Sequence, residues 1–167
     1  MNNTSHSLRH FAGTVYAFAN CCIGFLERWL TPLFQLALRL YVAEVFLRSG
    51  ILKLSDWSGT LYLFDNVYAV PVLPPHLAAV MGTMGETLLP ILLILGLAGR
   101  FAAAGVFVTN LMAAISFPDI SDLGLQDHKL WGLMLLVLVF FGPGRFSLDQ
   151  WIKKRCPQRN EAGSFLH

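Results

Sequence analysis

An antiparallel bundle of four transmembrane helices is the fold class that this sequence predicts, and three observations carry that expectation. Only 13% of its 167 residues are charged, while 55% are hydrophobic; a soluble domain carries about 25% charged residues. Long apolar runs recur, each approaching the roughly 20 residues that one hydrocarbon crossing needs. Lys and Arg gather in the segments that four crossings would leave on one side. The net charge of +2 does not by itself point to nucleic acid, and no such partner is expected.

The first segment, residues 1–29, precedes the bundle. Phe11, Val15, Phe18, Cys22, Phe25 and Trp29 fall at helical spacing within residues 8–29, which predicts an interfacial amphipathic helix on the membrane surface. A fifth span is the alternative, because residues 11–26 lack charge. A secretory signal does not fit, since no small-residue cleavage site follows the apolar stretch.

The bundle itself is expected over residues 30–143. Its first span, about 30–54, is impure and holds Arg39, Glu44, Arg48 and Lys53. The second, about 76–98, carries the single charge Glu86, and the third, about 100–117, follows after Gly99 alone. So short a junction implies a tight helical hairpin. The fourth span, about 127–142, ends at Gly142-Pro143-Gly144, and residues 144–167 form a basic tail. There Ser147 followed by Gln150 resembles a capping box. Leu148, Trp151 and Ile152 then share one face of a short interfacial helix, whose cations suit anionic headgroups.

Charge bias orients the chain. Arg9, Arg28, Arg100, Arg145, Lys153, Lys154, Arg155 and Arg159 lie in the N-terminal segment, the hairpin turn and the tail. The other two connections hold Asp56, Asp65, Asp119, Asp122 and Asp127. By the positive-inside rule both termini are cytoplasmic, in a multi-pass protein of a bacterial inner membrane. Cys21, Cys22 and Cys156 then face a reducing compartment. They form no C-x-x-C or metal-ligand spacing, so no metal site is expected.

Ionisable residues inside the spans carry whatever chemistry there is. Each costs about 2.5–3.5 kcal/mol to insert, which makes it a functional hypothesis by default. Glu44 and Glu86 both fall near mid-depth by residue count, and Arg39 and Arg48 bracket Glu44. Glu44 and Arg48, four apart, share a helix face; with Arg39 and Glu86 they could make one neutral set. One reading is structural, a clasp that fixes helix register. The other is a polar pocket, with Arg48 and Lys53 donating hydrogen bonds to an oxygen-bearing ligand. Glu86 is then a proton acceptor, and His128, at the mouth beside Trp131, relays protons. A quinone is the cofactor that suits such a pocket, held without a covalent bond.

Four stretches in order support a family resemblance: Arg48-Ser-Gly-Ile-Leu-Lys53-Leu, Glu86, Leu95-Gly-Leu-Ala-Gly-Arg100, and Gly142-Pro-Gly-Arg-Phe-Ser-Leu-Asp149. Over about residues 36–150 the chain resembles the DoxX family. Leu54-Ser-Asp-Trp-Ser-Gly-Thr-Leu-Tyr-Leu-Phe64, Val70-Pro-Val-Leu-Pro-Pro75 and Asp127-His-Lys-Leu-Trp-Gly132 resemble one branch in particular. That branch is encoded beside bufferin peptides and multinuclear iron oxidases in copper-defence clusters. The resemblance implies a four-helix inner-membrane protein, in a family named by similarity to the small subunit of archaeal thiosulfate:quinone oxidoreductases. Actinobacterial relatives are associated with defence against thiol oxidation. The pattern positions carried over are Arg48, Gly50, Lys53, Glu86, Arg100, His128, Gly142, Gly144 and Asp149. Arg100 and Asp149, on one side of the membrane, are expected to pair and lock the hairpin turn to the tail.

Three functions satisfy these residues. The first is an accessory subunit of a quinone-linked redox system, working with a periplasmic or membrane partner that handles thiols, sulfur or metal. The second is a non-enzymatic membrane partner for maturation or export of a copper-binding peptide. The third is a small proton-coupled transporter, for which no inverted repeat or broken-helix pair is visible. Membrane lipid is a partner in each case, and a homo-oligomer is compatible with all three.

Overall fold

The computed structural model describes Gly13 and residues 16–155. The expectations for Arg9, Phe11, Val15, Cys156 and Arg159 lie outside the described residues. Two compact units make up the chain, Met1–Phe34 and Gln35–His167.

In the first unit residues 16–25 are helical and Leu26–Leu30 form a π-helical turn. The wider turn sends the Thr31 N–H back to Leu26 O, which also accepts Thr31 Oγ1 at 3.3 Å. The boundary expected between residues 29 and 30 falls in this π turn. By length and composition Tyr16–Ser55 is one of the candidate membrane spans.

Every regular element of the described residues is helical. Four helical stretches are long and apolar enough to cross a membrane. α1 (Thr31–Ser55) continues into the second unit; a short α2 (Trp57–Asn66) follows. The hairpin comprises α3 (Pro75–Leu95) and α4 (Gly99–Ser116), and α5 (Asp122–Phe141) and α6 (Leu148–Arg155) close the order.

The ends of these helices have local causes. Pro75 opens α3 at a first-turn position, where its missing N–H costs nothing. α3 stops at Leu95 instead of the expected 98, because Gly96 takes the left-handed conformation with φ 66°. The Leu97 N–H then reaches back to Leu92 O at 3.0 Å, in a Schellman-type turn. α5 begins at Asp122, earlier than the expected 127, since Ser121 Oγ accepts the Gly124 N–H at 3.1 Å. Ser147 caps α6, accepting the Gln150 N–H at 3.4 Å, as its spacing suggested.

α2 was not expected. Asp56 caps it, accepting the Gly59 N–H at 2.9 Å and the Ser58 hydroxyl at 3.0 Å. The described part of the basic tail packs onto the bundle, as the contacts of Arg39 below show.

The core is where α1, α3, α4 and α5 meet, with Val42, Ala43, Leu93, Ala102, Ala103, Val106, Leu135 and Leu138 fully buried. The alanines let backbones approach closely, as membrane helix packing requires. Large apolar side chains such as Phe101, Leu133, Phe140 and Phe141 point outward. That surface suits lipid, and a water-soluble monomer rarely shows so much of it.

α1 and α3 lie antiparallel, and two contacts fix their relative depth. Near one end Arg39 lies against Gly96, where an added Cβ would meet its Nη1 at 2.7 Å. Further along, Gly50 abuts α3 so closely that a Cβ would lie 2.8 Å from Glu86 O. Pro90, four residues on, has no N–H to offer that carbonyl. The hairpin turn and the α2 end thus mark opposite ends of the bundle.

Candidate functional site

Between the core and α2 lies a cavity of about 420 Å³, within the range of small-molecule sites. Five helices, α1 to α5, and the segment after α2 contribute to it. α1 places Ser49 and Lys53 one helical turn apart on its inward face. Lys53 Nζ donates to Ser49 Oγ at 2.8 Å and is ion-paired with Glu86 of α3. The two charged side chains keep only 15% and 8% of their exposure, so their attraction is poorly screened and each neutralises the other.

A second polar pair comes from α4 and α5. Asn110 Nδ2 donates to the His128 backbone carbonyl at 2.9 Å, and Asn110 Oδ1 lies 2.8 Å from His128 Nδ1. A carbonyl can only accept, so the first contact fixes which way the amide points. Its oxygen must then accept from Nδ1–H. In neutral His128 this leaves Nε2 as the bare acceptor. The imidazole is held edge-on to Trp131 at 5.1 Å, and Trp131 in turn meets Phe46 at 5.9 Å.

Tyr68 closes the α2 side. Its ring stacks edge-to-face between Phe64 at 5.0 Å and Phe117 at 5.7 Å. Burial, and then the nearby Glu86 charge, push its phenol above the ordinary tyrosine range. It therefore stays a neutral O–H donor. The Ala69 N–H ties the same segment to Ser116 O at 2.7 Å, while the buried Ser116 Oγ, which lines the cavity, has no hydrogen-bond partner among the described residues.

Of the residues singled out in the sequence, Lys53, Glu86, His128 and Trp131 all line this one cavity. The proposed neutral set of four does not assemble. Arg48 pairs with Glu44 at 3.1 Å on the outer face of α1, with side chains 83% and 66% exposed. Arg48 is thus no ligand donor in the cavity. The cause is helical phase: at about 100° per residue, Arg48 lies about 140° from Lys53, whereas Arg39 comes round to within about 40° of it.

Arg39 is buried near the hairpin turn and donates to Pro143 O and Phe146 O, both at 2.7 Å. Nor do Arg100 and Asp149 pair as expected. Asp149 accepts the N–H groups of Ala98 and Gly99 at 2.9 and 2.8 Å, capping the start of α4. Arg100 turns to Phe140 O at 3.3 Å. Asp149 still ties the turn to the tail, and Arg100 ties it to the end of α5, each through backbone groups.

Sequence reasoning passed over Asn110, Tyr68 and Ser49. Asn110 had a signal, a lone amide within the apolar run of α4. Tyr68 had none, because only the fold of the segment after α2 brings it to the cavity. Among the described residues no three His, Cys, Asp or Glu side chains come together as a metal site, and Cys21 and Cys22 are exposed in the first unit.

A family model for DoxX matches residues 34–119, about half of the sequence. The chain belongs to the DoxX family. It is accordingly an integral membrane protein in contact with lipid. This DoxX protein is also similar to an uncharacterized protein of Haemophilus influenzae, 28% identical over 134 residues, covering 75% of this chain and 87% of the relative. No solved structure matches it. The matched DoxX region contains Lys53, Glu86 and Asn110 and ends before His128.

Proposed function

We propose that this DoxX protein is the quinone-binding subunit of a membrane redox system. The observation that carries the reading is the shared cavity. It sets a buried Lys53–Glu86 pair and an acceptor nitrogen on His128 among aromatic side chains, at a volume that admits a substituted quinone ring. Lys53 supplies a donor for a quinone oxygen, Glu86 a site for a proton, and Tyr68 a neutral hydroxyl. His128 Nε2 receives the O–H of a bound quinol. The balanced reaction is oxidation of two thiols to a disulfide with reduction of quinone to quinol; both electrons and both protons leave the thiols. Those thiols belong to a periplasmic or membrane partner, and the protein lies in a bacterial inner membrane with both ends cytoplasmic.

Gentle solubilisation followed by mass spectrometry of co-purifying molecules tests the reading. About one quinone per chain is expected, and Glu86→Gln should still insert and fold, at a stability cost that thermal unfolding reads separately, yet lose thiol-dependent quinone reduction in membranes. Protein free of quinone that carries a copper-binding peptide or its maturation enzymes would instead support the docking role. In that case Glu86→Gln would leave co-purification of that peptide unchanged.

A further inference from the structure

The Glu44–Arg48 pair is misplaced for a protein that ends at its own surface. Counting from the level where Arg39 meets Gly96, Glu44 lies about 7.5 Å and Arg48 about 13.5 Å along α1, at about 1.5 Å per residue. Gly50, two residues past Arg48, is level with Glu86 in the middle of α3. Both charges therefore sit at hydrocarbon depth, and Arg48 is too deep to bring its guanidinium to the interface. Yet both are turned away from the bundle, where lipid tails are the poorest surroundings for charge.

The exposed residues around the pair have a definite rhythm. Beside exposed Leu40, Leu52 and Leu54, one line of exposed residues, Ala37, Tyr41, Glu44, Arg48, Ile51 and Ser55, is spaced alternately four and three apart. That is the heptad spacing of a seam on which two helices pack side by side. The seam runs along α1 from near the hairpin turn to the α2 end.

We infer that a second copy of this chain covers the seam, in a parallel dimer whose two-fold axis runs along the membrane normal. Charge complementarity selects this occupant. The seam carries one acid and one base, and within one chain Arg48 already spans their 3.1 Å contact through Nη2 and Glu44 Oε1. Two-fold symmetry puts the partner's Arg48 at the same depth as Arg48, one turn from Glu44. Among the described residues, Glu44 Oε2 and the remaining guanidinium donors of Arg48 make no further hydrogen bond. They are free to close an alternating ring of two carboxylates and two guanidiniums. A partner of one charge sign would leave one of the two unmatched, whereas a copy of the same seam matches both. The cavity lies on the opposite side of α1, so the dimer leaves it open.

Charge reversal across chains tests the inference. Glu44→Arg and Arg48→Glu chains, each expressed alone in membranes, are expected to be mainly monomeric by native mass spectrometry. Co-expressed with different tags they should pair with each other at least tenfold more than either pairs with itself, which no intrachain contact can produce. In a background lacking Cys21, Cys22 and Cys156, Tyr41→Cys or Ile51→Cys should give an oxidised dimer, and Leu133→Cys should not. A monomeric wild type, equal crosslinking from Leu133→Cys, or a Tyr41→Cys adduct with another protein or with the chain's own N-terminal segment would overturn it.

Discussion

Lys53 and Glu86 are the residues on which both the fold and the proposed chemistry depend. Removing one member of a buried ion pair strands the other and costs about 3–5 kcal/mol, whereas replacing both with apolar groups can be neutral. Glu86→Leu should therefore lower the melting temperature in detergent sharply, and Lys53→Met combined with Glu86→Leu should recover most of the loss. Neither variant should retain quinone. Asn110 acts one step further out, through His128. Asn110→Leu should shift His128 away from the Nδ1–H tautomer, read by nitrogen chemical shifts. It should weaken quinone binding about tenfold, which is about 1.4 kcal/mol. A tautomer ratio unchanged by that substitution would remove Asn110 from the site. At this scale much was readable in advance: a charge inside an apolar run announces itself, as Lys53 and Glu86 did. What each charge touches was not readable, because Arg39, Glu44, Arg48 and Lys53 look equivalent until helical phase is combined with the position of neighbouring helices.

Among the elements, α2 and the α1–α3 contact respond most directly to local change. Asp56 holds its carboxyl below the ordinary aspartate range, first through the Gly59 N–H and then through the Ser58 hydroxyl. Because the folded value is the lower one, the cap contributes fully above the ordinary aspartate value and is lost as pH falls through the folded value. Exchange of the Gly59 amide, corrected for its intrinsic rate, should accelerate in that acid window. Asp56→Asn keeps an acceptor and should abolish the pH dependence. Gly50 permits the close approach of α1 to α3, and a methyl group there meets Thr87 Oγ1 at 2.5 Å and the unyielding Glu86 backbone at 2.8 Å. Gly50→Ala should destabilise the protein by about 1–3 kcal/mol and disturb the adjoining Lys53–Glu86 pair. Thermal unfolding with and without added quinone separates the two effects. The four spans were legible because hydrocarbon thickness demands long apolar runs. α2 was not, since ten residues between two spans carry too weak a pattern to distinguish a surface helix from a loop.

For the whole molecule, the uneven distribution of Lys and Arg sets the expected orientation. A reporter that fluoresces only in the cytoplasm should be bright when fused after His167 and dark when inserted near Asn66. The reverse pattern would invert the bundle and move the cavity mouth to the cytoplasmic side.

Composition and hydropathy by themselves determined that this is an all-helical membrane protein with four spans, because the bilayer accepts little else from so apolar a chain. The order of its motifs pointed to DoxX. Only the tertiary structure decided which charges belong together. It turned Lys53 and Glu86 inward to a common cavity, sent Glu44 and Arg48 to the outer face, and gave Arg39 to backbone carbonyls after α5 and Asp149 to N–H groups of the hairpin turn. The physical reason is that a lone charge specifies a need for a partner, whereas the identity of that partner depends on the azimuth and depth at which packed helices present it.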